Sequence, residues 1–207
     1  MTGDGAIGTE LAVLAPALAA ESARFAALGW MRGTSGNLSA VLADDPLRLA
    51  VTVSGVDKGT LTAADIGVVD AAGAAVAWPG ASTARPSAEA ALHARVAALT
   101  GARAVVHVHT IAAVRAGRRW PGGVSVSDLE MLKGIGCPPA GEQVTIPVIV
   151  NSQDMTELGD RLAGARDPAV PGVIVAGHGL YAWGPGLAGA RHHTEIIEWL
   201  LEFALTG

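Results

Sequence analysis

The stretch Ala102-Arg-Ala-Val-Val-His-Val-His109 constrains this chain more than any other. It reads as a strongly apolar β-strand that ends in His107-Val-His109. Side chains two apart on a strand leave from the same face, about 7 Å from each other along the chain. Two imidazoles so placed can converge on one cation, and histidine is a favoured zinc ligand. Taken alone, the pair is also compatible with two hydrogen-bonded histidines at a strand end.

A third histidine has a different setting. His178 lies in Ala176-Gly-His-Gly-Leu-Tyr-Ala-Trp-Gly184, between two glycines at the junction of two expected strands, Gly172–Ala176 and Leu180–Trp183. Backbone freedom there lets a side chain point out of the sheet, although a turn histidine is ordinary by itself. Joined to the strand pair, it makes three protein ligands with one position left open, the arrangement of catalytic zinc. His192 and His193, on an expected closing helix, read as surface or packing residues.

The remaining pattern surrounds that strand with helices and hairpins. Residues 6–31 read as an alanine-rich helix, and Gly33-Thr-Ser-Gly-Asn-Leu-Ser39 as a polar loop. Arg48–Ser54 is an expected strand, and Gly67–Asp70 with Ala74–Trp78 an expected hairpin around Ala71-Ala-Gly73. A helix is expected from Pro86-Ser-Ala-Glu89 to Thr100, with Ser87 as its N-cap. Asp128–Ile135, Asp154–Arg166 and Leu187–Leu205 read as further helices, and Val144–Val150 as a strand. Residues 1–207 show no repeat or composition break, so one α/β domain is expected, a sandwich with a mixed sheet. No G-x-G-x-x-G follows a strand, which removes support for a dinucleotide-binding fold.

Charge and composition narrow the partners. A net charge of −5, with Lys and Arg totalling 14, argues against nucleic acid, which needs a concentrated basic surface. An anionic ligand would have to be held by local donors. Ser35-Gly36-Asn37, Ser54-Gly55 with Lys58 close by, and Ser87 at a helix start are such places, each weak alone. The opening Met-Thr-Gly-Asp-Gly has no basic n-region. The apolar run Leu11–Ala20, broken by Pro16, is shorter than the ~20 residues of a membrane span. The single cysteine, Cys137, excludes an internal disulfide and a Cys-rich zinc site. The cytoplasm is the expected compartment. Two carboxylates stand near the motifs, Glu89 with His93 four residues on and Glu130 in Glu-Met-Leu-Lys-Gly134. Taken singly, the first reads better as a helical polar pair with His93 and the second as a helix-start carboxylate.

In order, Gly33-Thr-Ser-Gly-Asn-Leu-Ser39, Thr52-Val-Ser-Gly55 with Asp57-Lys-Gly59, Arg85-Pro-Ser-Ala-Glu89, His107-Val-His109, Glu130-Met-Leu-Lys-Gly134 and Gly177–Gly184 resemble the class II aldolase-like family. The resemblance runs from about Gly29 to the last helix, and within the family it is nearest to dehydratases of methylthio-substituted ketose phosphates. It implies an α/β sandwich with a central mixed, mainly antiparallel sheet flanked by helices. It implies Zn2+, one per subunit, on His107, His109 and His178. It places a substrate phosphate against Gly36-Asn37, the Ser54-Gly55 turn with Lys58, and Ser87.

The same resemblance matches Glu89 to the catalytic carboxylate of the aldolases and Glu130 to the acid/base residue of the dehydratases. The expected activity is therefore loss of water from a sugar phosphate in methionine salvage, by a homotetramer with sites at subunit boundaries. Aldol cleavage, pentulose-phosphate 4-epimerisation and a non-catalytic binding domain of the same fold are the alternatives. Ala88 departs from the pattern, since the aldolases often carry a second serine there.

Overall fold

The computed structural model describes residues 3–207. Ten strands follow in chain order: β1 (Asn37–Asp44), β2 (Leu47–Thr52), β3 (Ile66–Asp70), β4 (Ala75–Val76), β5 (Ala104–Val108), β6 (Val124–Val126), β7 (Val144–Ile146), β8 (Val148–Ile149), β9 (Gly172–Val175) and β10 (Gly179–Gly184). Eight of them form one sheet in the order β4-β3-β2-β1-β5-β10-β9-β8, while β6 and β7 pair separately. Every neighbouring pair is antiparallel except β8 with β9, so the expected mixed, mainly antiparallel sheet is present.

Helices cover both faces. α1 (Gly3–Ala27), α3 (Ile111–Arg119) and α5 (Leu187–Thr206) pack on one, and α2 (Ala90–Thr100) with α4 (Met155–Ala165) on the other. The period of two along β5 decides what each helix meets. Ala104, Val106 and Val108 join the core under α1, α3 and α5, whereas Val105 joins the core under α2 and α4. His107 therefore faces the α2–α4 side, deep beneath a helix layer. Fully buried residues such as Phe25, Leu38 and Leu200 each contribute about 1.5–3 kcal/mol to the packing.

The first helix ends earlier than residue 31, because Gly29 takes a left-handed φ of 76° and the Trp30 amide turns back to the Phe25 carbonyl. The helix is also longer than the apolar run within it: Gly5–Ala27 is long and apolar enough to cross a membrane by length and composition. In this structure it is a packing helix. Leu11, Ala15, Leu18 and Phe25 enter the core, and Arg24 and Glu21 each pair with α5 at 2.9 Å, through Glu195 and Arg191.

Several elements depart from expectation. The stretch through Ser39 expected as a loop becomes strand β1 from Asn37 onward, a central strand whose near-continuous burial leaves no alternation to read. Helix α3 follows directly from His109, capped by the Thr110 hydroxyl, which accepts from the Ala113 amide. The expected strand 144–150 is broken at Pro147 into β7 and β8, which lie in different sheets. Residues 128–135 form no α-helix; Glu130–Ile135 is a 3-10 turn closed by Gly136. Ser87 is not the cap of α2. Glu89 occupies that position, with its amide donating to the Ser87 hydroxyl at 3.3 Å. That two-residue shift leaves the Glu89 carboxylate free to face the histidines.

Candidate metal centre

His107 and His109 leave β5 at its end, and His178 leaves the turn between β9 and β10, one strand over. Two close approaches bring these strands together. A Cβ on Gly179 would sit 2.2 Å from the Val108 carbonyl oxygen, so only glycine lets β10 lie this close to β5. Gly36, with φ 77°, passes 3.0 Å from the His107 carbonyl oxygen at the position of its missing Cβ. Both glycines are therefore demanded by sterics at the histidines.

The three side chains meet through their Nε2 atoms. His107 Nε2 lies 2.8 Å from His109 Nε2 and 3.2 Å from His178 Nε2. The Nδ1 of His107 donates to the Leu180 carbonyl at 3.0 Å, which leaves Nε2 with its lone pair turned inward. One lone pair accepts one hydrogen at most, yet two imidazole nitrogens and a Glu89 oxygen at 3.5 Å crowd it. The cluster is short of donors, and a cation fits that shortage. Nitrogens each about 2.0–2.1 Å from a shared tetrahedral zinc would stand roughly 3.3 Å apart, close to what is found.

Electrostatics agree. Burial pushes the His107 imidazole down to about 3, helped by His109 and His178 and opposed by Glu89. Burial also lowers His109, with His178 adding to it and Glu89 opposing. Unprotonated imidazoles are the form that binds metal.

Glu89 completes the group. Its Oε1 is 3.3 Å from His178 Nε2, and its Oε2 accepts from Asn37 Nδ2 at 2.6 Å. Burial disfavours its charge, but His107, the Asn37 amide, His178 and Tyr181 outweigh burial and bring the carboxyl down to about 2. It is thus ionised beside the neutral His107. The expected helical pair with His93 is absent: His93, fully buried, shares a hydrogen with the Ser39 hydroxyl at 2.8 Å instead.

An open cleft of about 480 Å³ leads to this cluster. Gly36, Asn37, Ser54, Lys58, Ser87, Glu89, His109 and His178 line it, so the separate motifs do converge. His107 lies behind them, fully buried, and Gly55 sits beside Ser54 without lining the cleft. Lys58 is buried with its Nζ donating to the Thr34 and Val56 carbonyls at 3.1 and 2.8 Å, which leaves one N–H for a ligand. Burial lowers its pKa while Asp57 opposes.

Glu130 is the exception. Its side chain is 78% exposed and ion-paired with Lys133, on a turn packed against α5 and not on the cleft. Four lining residues carried no signal in the sequence: Asn151, Ser152 and Gln153, brought in by the loop after β8, and Met155 at the start of α4. His192 and His193 stand apart on α5, the latter donating from Nδ1 to the Trp183 carbonyl. Cys137 is buried and donates its thiol to the Ala169 carbonyl.

Comparison with known proteins places this geometry in a lineage. A methylthioribulose-1-phosphate dehydratase from Sorangium cellulosum is 42% identical over 183 residues, covering 86% of this chain and 84% of that protein. A protein of the same name from Persephonella marina is 35% identical over 177 residues, covering 84% and 81%. A solved L-fuculose 1-phosphate aldolase superposes with a TM-score of 0.73 at 23% identity, over 93% of this chain and 84% of the other, which speaks to the fold. The profile of the class II aldolase and adducin N-terminal domain matches residues 16–205, a span that holds all three histidines and every loop of the cleft. On fold, site and sequence together, the chain belongs to the class II aldolase and adducin N-terminal domain family.

Proposed function

We propose that this chain is a zinc-dependent hydro-lyase that converts 5-methylthioribulose 1-phosphate to 2,3-diketo-5-methylthiopentyl 1-phosphate, a cytoplasmic step of methionine salvage. The observation that carries the reading is the meeting of His107, His109 and His178 at the inner end of a polar cleft, in a chain 42% identical to a protein named for that reaction.

His107, His109 and His178 would hold one Zn2+, which supplies Lewis acidity beside the substrate's C2 carbonyl. The loop at Gly36-Asn37, the Ser54-Gly55 turn, Lys58 and Ser87 would bind the phosphate through backbone amides, hydroxyls and one buried ammonium. A carboxylate then takes the C3 proton, and the C–H electrons form the C2–C3 double bond of an enediolate. The C4–O bond breaks as the hydroxyl takes a proton and leaves as water, and the resulting enol tautomerises to the 2,3-diketone. We assign this proton traffic to Glu130. Because Glu130 is exposed on the surface of its own chain, that role requires a neighbouring copy to present it, which accords with a homotetramer whose sites lie at subunit boundaries.

One observation favours a second reading. Glu89, not Glu130, is the carboxylate beside the histidines within one chain, and in the family's aldolases this position is catalytic. Aldol cleavage or 4-epimerisation on the same centre is therefore the alternative. Incubation with methylthioribulose 1-phosphate, fuculose 1-phosphate and ribulose 5-phosphate separates them. The dehydratase reading expects the diketone from the first alone. An aldehyde trapped from a ketose phosphate, or no turnover of any, would overturn it.

A further inference from the structure

Tyr181 stands directly opposite His107 in the β5–β10 register and is fully buried. Its ring lies face to face with the His107 imidazole, centroids 3.9 Å apart and planes 11° from parallel. The carbonyl that receives the His107 Nδ1 hydrogen belongs to Leu180, the residue just before it. His93 meets the Tyr181 ring edge-on at 5.8 Å from the inner side. His107 is thus gripped twice by one short segment of β10: its ring plane by the phenol, its tautomer by the backbone.

The other end of Tyr181 is the informative one. Its hydroxyl is buried and has no hydrogen-bond partner among the described residues. Leaving such a group unpaired costs about 1–3 kcal/mol, so a phenylalanine would suit a purely structural position better. The Glu89 carboxylate stands 3.5 Å from Nε2 of the imidazole on which Tyr181 stacks, so it is the charged group on the phenol's side of the cluster. Glu89 already takes one hydrogen, from Asn37.

We propose that Tyr181 is a positioning residue of the metal centre, its ring setting the plane of His107 and its hydroxyl serving as the second donor that orients the Glu89 carboxylate. The hydroxyl acts through Glu89, since Tyr181 does not line the cleft and cannot touch substrate. This extends the functional reading above and rests on it for the turnover arm of its test: Glu89 would fix the charge and orientation of the histidine cluster while Glu130 moves the protons. Side chains that orient groups at a metal site are worth about 10–100-fold in metal affinity or activity when removed.

Two variants separate the two parts. Tyr181→Phe keeps the stacked ring and loses the hydroxyl. Its zinc affinity, from competition with a chromogenic chelator, should stay within about threefold of the parent, and the thermal midpoint of the metal-free protein should not fall. Its kcat should drop about 10–100-fold with KM little changed. Introduced into Glu89→Gln, the same change should cost nothing more, because the carboxylate it orients is already altered. Tyr181→Leu removes the ring and should weaken zinc binding about 10–100-fold. An unchanged kcat in Tyr181→Phe, losses that multiply in the double variant, or a lower apo midpoint would overturn the hydroxyl's role. Undiminished zinc affinity in Tyr181→Leu would overturn the ring's. Failure of the parent protein to turn over methylthioribulose 1-phosphate would instead sink the functional reading; the zinc affinity of Tyr181→Leu would then decide the ring's role and the apo midpoint of Tyr181→Phe the hydroxyl's.

Discussion

The hydroxyl of Thr110, the residue after the second strand histidine, donates to Glu198 Oε2 at 2.7 Å and so ties the exit of β5 to the closing helix α5. Both residues are buried. Burial raises the Glu198 carboxyl to about 7, the Thr110 hydrogen bond opposing and Glu202 adding to the rise. A carboxyl with a raised folded pKa favours the folded state while both states are protonated. That advantage erodes as pH climbs from the ordinary value of 4.5 and is gone above about 7.

Glu198→Gln, which keeps an acceptor for Thr110, should therefore flatten the pH dependence of stability between pH 5 and 8. At pH 8 the variant should be the more stable protein, by up to ~3 kcal/mol at the usual 1.4 kcal/mol per pH unit. Thermal midpoints of both proteins at the two pH values test this. A gap between them that stays constant across the range would count against the buried titration.

The metal assignment has its own measurement. His109→Ala removes a proposed ligand that lies partly exposed at the cleft, so the fold should survive. Zinc by elemental analysis should fall well below one per chain while the far-ultraviolet spectrum stays that of the parent. Full zinc in the purified variant would remove His109 from the ligand set.

A complementation experiment addresses the distance between Glu130 and the histidines. Glu130→Gln should retain zinc but lose about 10²–10⁴-fold in rate, the scale of acid–base assistance. Co-expressed with His109→Ala, it should recover a fraction of parental activity, because mixed assemblies hold sites built from one intact histidine set and one intact Glu130. If each chain serves only its own centre, mixing restores nothing.

Close packing at the strand crossing makes a steric prediction. In Gly179→Ala the new methyl would meet the Val108 carbonyl oxygen at 2.2 Å and the His107 ring at 3.2 Å. Pushing β10 off β5 should cost about 1–3 kcal/mol and weaken zinc binding. Gly122→Ala, where nothing lies within 4 Å of the added carbon, is the control and should stay within about 0.5 kcal/mol. Equal stability of the two variants in urea would contradict the close approach.

Much of the architecture was readable from local pattern. The β5 strand, the hairpin at Ala71–Gly73 and α5 appear where β-branched runs, turn residues and helical periodicity put them. What escaped has a common cause. β1 is buried on both faces and has one β-branched residue, Val41, so neither alternation nor β-branching marks it. The 3-10 turn at Glu130 is shaped by contact: a Cβ on Gly134 would lie 2.2 Å from Ile196 Cδ1, a neighbour distant in sequence. Asn151, Ser152 and Gln153 read as an ordinary polar loop, and only its seat beside His178 at the cleft makes it part of a site.

Residue chemistry alone dictates that two imidazoles leave one face of a short apolar strand and that a third waits in a glycine-flanked turn, because strand alternation and glycine's freedom are local properties. The meeting of the three, the depth at which His107 sits, the stacking of Tyr181 on it and the turning of Glu89 toward it belong to the folded chain. They depend on β10 lying against β5 and on α2 starting two residues late, and such long-range contacts leave no trace in any window of sequence.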